Sequence, residues 1–369
     1  MQSFRMTAIV AAALAVSGCF KLDVKLPRFG GDEIRDGDGG DGAGETTGES
    51  RPSQLPAGDV FLNSDHGAVF YAYDTLAHPK KPVDLAVKLL SARDLRPIQG
   101  VTVSIYRGEW VAGRVNTDAN GIASLRCIPP AAGNYTFTAR IVAVPHESYQ
   151  ELLEVAPAEM LVAARDKETP FVVIDLDHTI VDSSFFRVLL DGGRPMPDSV
   201  AAVKRIAEVY SIIYLTHRPD LLTRKSKQFL TRNGYPPGPL LVSELKDVFD
   251  SGEFKTAKLS EVRKAFPRVA VGIGDKLSDA QAYVDNGLTA YLIPHYKDKP
   301  EDMRKMAGQI RRLRGGERLH VVSGWREVQQ GLFDGRSFPP ATFATMLETR
   351  AARMEAEDRA REERDEDDD

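Results

Sequence analysis

The stretch Phe171-Val-Val-Ile-Asp175-Leu-Asp177-His-Thr179 sets two carboxylates and a hydroxyl at alternate positions, on the heels of an apolar run. Two anions so close, at the end of a buried segment, cost too much to leave unpaired, so a cation or a shared proton is implied. A strand running into an Asp-rich turn shows the same residue types, and the partners decide between the two. They recur in order along the chain: Thr216 after the apolar run 211–215, Lys255 at a helix start, and Asp275 with Asp279 after the run 268–273. Such a set suits phosphoryl transfer, which needs metal ligands, a nucleophile, a proton shuttle and donors for the transferring group. Asp175 is suited to attack phosphorus and form an aspartyl-phosphate. Asp177 can protonate the leaving oxygen and later activate water. Thr179, Thr216 and backbone N–H groups around Leu176, Asp177 and His217 can bind phosphate oxygens. Lys255, expected in the first turn of its helix, adds positive charge there, aided by the helix amino end; Lys258 is its rival. Asp175, Asp177, Asp275 and Asp279 offer the hard oxygen ligands that Mg²⁺ prefers. Gly272 and Gly274 leave room for their loop to approach the metal.

Groups so far apart in sequence meet only if strand ends converge. The β-branched run before Asp175 suits a strand buried on both faces of a parallel sheet. Further strands are predicted over 211–215, 239–242, 268–273, 289–293 and 319–322. Helices are predicted over 197–210, from Pro219 to a stop at Asn233-Gly234, over 255–266 and over 278–286. Strand–helix alternation predicts a parallel sheet with helices on both faces, and such sheets bind ligands at the carboxyl ends of their strands. Only 36 residues separate Thr179 from Thr216, and 38 separate Thr216 from Lys255. Neither gap holds a large cap domain, so an open site is expected.

"Asp-x-Asp-x-Thr", a strand-end Thr or Ser, a helix Lys and "Gly-Asp-x-x-x-Asp" are the four motifs of the haloacid dehalogenase (HAD) superfamily. All four stand here in order, and this part of the chain resembles that superfamily. The resemblance implies a HAD-like (Rossmannoid) α/β fold. The second Asp, at 177, marks its phosphatase branch. Within it the chain is similar to lipin-type phosphatidate phosphatases and their LNS2-like domain. Tyr214-Leu-Thr-His-Arg218, Gly238-Pro-Leu-Leu-Val-Ser243, Glu253-Phe-Lys-Thr256 and Gly274-Asp-Lys-Leu-Ser-Asp-Ala-Gln-Ala-Tyr283 carry the likeness. His178 stands where lipins have Gly, and Thr216 where they have Ser. The implied activity is Mg²⁺-dependent hydrolysis of a phosphomonoester, with phosphatidate as the leading substrate. The alternatives are a phosphatase for soluble or protein-borne phosphates and a module that binds lipid phosphate without turnover. Arg218, Arg224, Lys225, Lys227 and Arg232 cluster on or near one helix, either as a solvated face or as a contact for lipid phosphates.

The remaining chain reads as an anchor, a tether, a β domain and a charged tail. Met6 to Val16 is apolar but too short to span a bilayer, as expected of an export signal over 1–18. Val16-Ser-Gly-Cys19 resembles the lipobox of bacterial lipoproteins, which implies cleavage before Cys19 and acylation of its thiol. More than one acyl chain is enough for stable anchoring. Phe20 rather than Asp follows, which points to the outer membrane and its periplasmic side. Residues 19–57 form an acidic, Gly-rich linker expected to be flexible. Asp36–Asp41 looks superficially like a calcium loop but lacks the Glu and helices of an EF-hand. Residues 58–165 alternate apolar and polar residues over 82–90, 101–106 and 135–142, with a turn at Asp118–Gly121. They are similar to bacterial immunoglobulin-like domains, and an all-β sandwich acting as spacer or interaction module is expected. The phosphatase-like domain is assigned to 166–335, and 336–369 to a charged helix fraying into an acidic tail. Residues 1–51 carry a net charge of −2 and 355–369 of −7, so the body carries +4 against a total of −5. That balance suits an anionic substrate or membrane, and nothing reads as a nucleic-acid module. Cys19 and Cys127 make no disulfide framework, and Cys127 is expected as a buried filler. His66, His78 and His146 are expected as isolated surface or turn residues.

Overall fold

A computed structural model of the chain describes residues 65–182, 193–244 and 251–367. The export signal, Cys19, the linker and the Asp36–Asp41 run lie outside the described residues. Among the described residues no helix is long and apolar enough to cross a membrane.

The first unit is a two-sheet sandwich. Strands β1 (Ala68–Ala72), β3 (Val83–Ser91) and β6 (Ile122–Cys127) form one sheet in the order β1-β3-β6. Strands β2 (Thr75–Ala77), β4 (Thr102–Arg107), β5 (Trp110–Asn116), β7 (Gly133–Ala143) and β8 (Ala158–Ala164) form the other, in the order β2-β8-β7-β4-β5. The alternation read from the sequence turns one face of each sheet inward, where Phe70, Leu85, Leu89, Ile105, Phe137 and Met160 meet. The predicted turn carries the chain from one sheet to the other. Asp118 Oδ1 accepts from the backbone N–H of Asn120 and Ile122 at 2.8 and 2.9 Å. Gly121 takes φ +71, and a β-carbon there would lie 2.3 Å from the Leu89 carbonyl oxygen, so only glycine fits. Cys127 is only partly buried, against the expectation of a core filler. His78 is not isolated: its ring lies 4.3 Å from that of Phe266 in the next domain.

The second unit is a six-stranded sheet of β9 (Phe171–Ile174), β10 (Ser211–Pro219), β11 (Leu240–Ser243), β12 (Val269–Gly274), β13 (Thr289–Leu292) and β14 (Leu319–Val321). Every neighbouring pair is parallel, in the order β11-β10-β9-β12-β13-β14. The chain therefore winds outward from β9 one way and from β12 the other, and the crevice between them is the topological switch point. Successive β9 residues serve opposite faces. Phe171 and Val173 join one core, Val172 and Ile174 the other. This double burial is why the strand reads as a continuous apolar run.

Helices α1 (Ser199–Ala207), α2 (Thr223–Arg232), α3 (Ser251–Ala265) and α4 (Leu277–Asp285) fall near their predicted places. A single 3₁₀ turn, Asp220–Leu222, precedes α2 where the sequence suggested helix from Pro219. Two helices were not anticipated, α5 (Pro300–Ile310) and α6 (Trp325–Asp334). The last helix, α7, runs from Pro340 to Asp367. Its start is no mere tail, since Phe343, Ala344, Leu347 and Ala351 lie in the same core as Phe171. Residues 183–192 and 245–250, within the two gaps expected to leave the site open, are outside the described residues.

Candidate active site

Ile174 pairs with Tyr214 on β10 and with Ile273 on β12. Asp175, Thr216 and Asp275 therefore stand at neighbouring levels near the carboxyl edge of the sheet, the last two each two residues past the paired position, and Thr216 lies within β10, which runs on to Pro219 rather than ending at residue 215. The Asp175 N–H still donates to the Ile273 carbonyl at 2.9 Å, so β9 and β12 stay joined up to the first carboxylate. Asp279 stands in the first turn of α4, which brings it back over the same strand ends.

Lys255 Nζ lies between two of these carboxylates, 2.7 Å from Asp175 Oδ1 and 2.6 Å from Asp279 Oδ2. All three residues are 3% exposed, so this is a charge cluster in a low-dielectric pocket. One oxygen from each of Asp175, Asp275 and Asp279 lies within 4.8 Å of the others. Asp275 Oδ1 is buried with no hydrogen-bond partner among the described residues. Three carboxylates thus face one ammonium, and one oxygen has no donor. Burial pushes the Asp175 carboxyl up to about 6, with Lys255 opposing the rise and Asp279 and Asp177 adding to it. Burial also holds Asp275 well above the usual carboxylate range, with Asp175 and Asp279 adding to the effect. Burial opposes the charge on Lys255, but Asp175 and Asp279 outweigh it and raise its pKa. Hard oxygens, surplus negative charge and an orphaned lone pair fit a divalent cation.

Asp177, expected among the metal ligands, stands outside this group. Arg218 Nη2 donates to its Oδ1 at 2.6 Å and Nε to its Oδ2 at 3.1 Å. The fork geometry explains the capture, because a guanidinium matches both carboxylate oxygens at once. Burial alone would raise the Asp177 pKa, but the Arg218 charge and hydrogen bonds hold it below the usual range. Its side chain is 20% exposed, so among these carboxylates it is the one at the mouth.

Thr179 and Thr216 are both buried, and Thr179 Oγ1 lies 3.5 Å from Asp175 Oδ2. The Trp325 indole N–H donates to the Thr179 carbonyl at 2.7 Å, so a helix that sequence reasoning missed fixes the first loop. Thr216 Oγ1 accepts from the Arg218 N–H at 3.3 Å. Lys255 sits one turn inside α3 rather than in its first turn, so its contribution is its own charge and not that of the helix end. Lys258 points elsewhere, to Glu261 at 2.8 Å on the surface. Gly272 serves packing, not the loop: a β-carbon there would lie 2.2 Å from the Tyr283 ring. Gly274 does make room at the site, since its β-carbon would meet Asp279 at 3.0 Å.

His178 has φ 51, the left-handed conformation that favours glycine, and its ring stacks on His295 with centroids 4.0 Å apart. In the sequence Arg218 stood out as the last residue of the lipin-like stretch Tyr214–Arg218 and as one of a basic cluster, without a role at Asp177. Its place two residues after Thr216 was the available signal. Lys227 also turns inward, to Asp74 at 2.6 Å. Arg218 and Lys227, both among the five basic residues considered for lipid contact, are thus committed to internal partners.

The family profile described as "PITM 1-3, LNS2 domain" matches residues 172–293. No curated protein sequence matches the chain significantly. Among solved structures, the chain is similar to a D,D-heptose 1,7-bisphosphate phosphatase from B. bronchiseptica, complexed with magnesium and phosphate. The identity is 18%, covering 46% of this chain and 100% of that one, with a TM-score of 0.34. A HAD-like phosphatase from Mesorhizobium loti is 14% identical over 50% of this chain and 88% of that one, with a TM-score of 0.33. The D00-D0 domain of intimin is 15% identical over 26% of this chain and 46% of that one, with a TM-score of 0.20. These three likenesses are too loose to add to the argument, which the profile match and the geometry of the switch point carry. Residues 172–293 match the LNS2 family model, and the domain they form is a phosphatase domain of the HAD-like kind.

Proposed function

We propose that the protein hydrolyses a phosphomonoester through an aspartyl-phosphate on Asp175, that it uses Mg²⁺, and that its substrate is phosphatidate or a similar lipid phosphate. The observation that carries the reaction class is the buried cluster of Asp175, Lys255, Asp275 and Asp279, with its unpartnered Asp275 oxygen. Asp175, Asp275 and Asp279 would hold the ion, which would supply positive charge to offset that of the phosphoryl group.

Asp175 attacks phosphorus, and the bond from phosphorus to the leaving alcohol oxygen breaks. Asp177, at the mouth, delivers the proton that oxygen needs. Held by Arg218 it rests as a carboxylate, so the acid role calls for proton uptake before the first step. After the alcohol leaves, Asp177 takes a proton from water. That water attacks the phosphorus of the aspartyl-phosphate, which releases phosphate and restores Asp175. Lys255 and the Thr216 hydroxyl steady the phosphoryl oxygens.

The lipid reading is supported by the motifs shared with lipin-type phosphatases and by the LNS2 match. It also draws on the lipobox-like Val16–Cys19, which would anchor the chain on the periplasmic side of the cell envelope. The test is release of phosphate by purified protein with Mg²⁺ from phosphatidate in mixed micelles, soluble phosphomonoesters and phosphopeptides. Preference for the micelles by at least tenfold is expected. Asp175→Asn should abolish release and Asp177→Asn should lower it by about 10²- to 10⁴-fold, the range of a lost proton shuttle. An active Asp175→Asn protein ends the nucleophile assignment. Preference for a soluble ester or phosphopeptide ends the lipid assignment, and binding of phosphatidate without turnover ends both.

A further inference from the structure

Arg218, which grips Asp177, is itself 4% exposed and donates from Nη1 to Ser226 Oγ at 3.0 Å. Both of its supports lead into the β-sandwich. The first is the backbone that follows it. Asp220 is 1% exposed, accepts from the Tyr73 phenol at 2.7 Å and lies 3.6 Å from Lys88 Nζ. Tyr73 follows β1 and Lys88 lies in β3, so both partners belong to the sandwich. Leu221 and Leu222 pack beside them against Val69, Tyr71, Leu90 and Ala92. The second support is α2, which carries Ser226. Its neighbour Lys227 donates to the carbonyls of Ala72 at 2.9 Å and Glu159 at 2.8 Å, and pairs with Asp74. The Asp74 carboxylate also accepts from the N–H of Leu161 in β8 at 2.7 Å and of Leu240 in β11 at 3.0 Å. One carboxylate thus ties a sandwich strand, an edge strand of the catalytic sheet and a helix together.

A spacer domain needs none of this. Interfaces between independent domains are polar and mobile, whereas buried carboxylates with several donors lock one geometry, since losing a partner leaves a charge stranded. We infer that the β-sandwich is part of the catalytic apparatus: through Tyr73 and Asp220 on one side, and Asp74 and Lys227 on the other, it holds Arg218 and hence the Asp177 carboxylate in place for proton transfer. These four are positioning residues. The inference rests on the role proposed above for Asp177.

The test compares kcat/KM of the full chain for an alkyl phosphomonoester and for p-nitrophenyl phosphate. An alkoxide leaves poorly without a proton, whereas p-nitrophenolate leaves unaided, and kcat/KM reports the chemistry up to the first irreversible step. In Tyr73→Phe and Asp74→Asn the alkyl ester should lose about fivefold to tenfold, the worth of a hydrogen bond of about 1 kcal/mol. The aryl ester should stay within about twofold, and Arg126→Gln, on the sandwich surface, should change neither. In protein labelled with ¹⁵N-arginine, the Arg218 Nε–H should exchange slowly in the wild type and faster in Tyr73→Phe. Equal losses on both esters, or wild-type ratios and exchange rates in both variants, overturn the inference. A wild-type protein that hydrolyses neither ester nor phosphatidate in mixed micelles ends the phosphatase reading. The exchange rate then still decides by itself whether the sandwich holds Arg218.

Discussion

Asp275 shows most sharply what the site demands. Its buried oxygen without a donor sits beside two carboxylates that share one lysine. Without a cation the folded state must keep this repulsion or take up protons, which is why burial raises the pKa of both Asp175 and Asp275. A cation that binds only the folded state stabilises it by about 2.7 kcal/mol at a hundred times its dissociation constant. In thermal melts at pH 7.5, Mg²⁺ should therefore raise the Tm of the wild type. The rise should shrink as pH falls and the carboxyls protonate. Asp275→Asn should melt no lower than the wild type without metal, because an anion is removed, and should not respond to Mg²⁺. An equal response in both proteins would remove Asp275 from the metal site. The positions of Asp175, Asp275 and Asp279 were legible in the sequence because each follows an apolar run or opens a helix, whereas Lys255 was legible only from the order of the motifs, since it lies one turn inside α3. The partner of Asp177 was not, because a bidentate arginine contact depends on side-chain direction, which spacing does not encode.

Strands and helices set the tolerances around these groups. Gly272 in β12 and Tyr283 in α4 meet so closely that a methyl group has no space. Gly272→Ala must move the Tyr283 ring, which is fully buried, and forced overpacking costs about 1–3 kcal/mol. The expected result is a lower midpoint in urea unfolding, together with weaker metal binding as α4 and its Asp279 shift. At the far edge, His320 in β14 stacks on Tyr291 with centroids 4.8 Å apart and accepts from the Phe338 N–H at 3.2 Å. Burial lowers its pKa below the ordinary 6.5. The unfolded chain therefore binds the proton first as pH falls. Stability is unaffected above pH 6.5 and declines below it until the lowered native value is passed. His320→Gln, which keeps an acceptor, should flatten the fall in Tm between pH 6.5 and 5; an unchanged slope would assign it to other groups. Strand positions were readable because double burial leaves long apolar runs. The helices α5 and α6 did carry a signal: Met303, Met306, Ala307 and Ile310, and Trp325, Val328, Leu332 and Phe333, recur at helical spacing among charged neighbours.

At the scale of the whole molecule, the chain folds by joining parts that its composition separates. The sandwich and the catalytic sheet are distinct by pattern, yet the buried carboxylates of Asp74 and Asp220 link them. Nothing in a linear sequence marks which aspartate will cross a domain boundary. The carboxyl-terminal helix misleads in the other direction. The chain's last residues, 355–369, carry a net charge of −7, which suggested a charged helix fraying into an acidic tail. The first turns of the helix instead close the catalytic core: Ala344, Leu347 and Ala351 are wholly buried and Phe343 is 7% exposed. Arg311 and Arg350 pair with Glu348 and Asp298 at 2.7 and 2.8 Å on its surface, but such exposed pairs contribute little. The apolar seam decides the outcome. Burying a Leu or Phe side chain stabilises by about 1.5–3 kcal/mol each, so the seam contributes on the order of 5 kcal/mol, comparable with the net stability of a domain. A chain ending at Pro339 should expose that core, aggregate on expression or melt far below the full-length protein, and lose Mg²⁺-dependent hydrolysis. A chain ending at Asp358 loses only charged and small residues, and should keep its activity and its Tm within a few degrees. If the shorter chain folds and melts like the longer one, α7 is a tail after all, and the core closes without it.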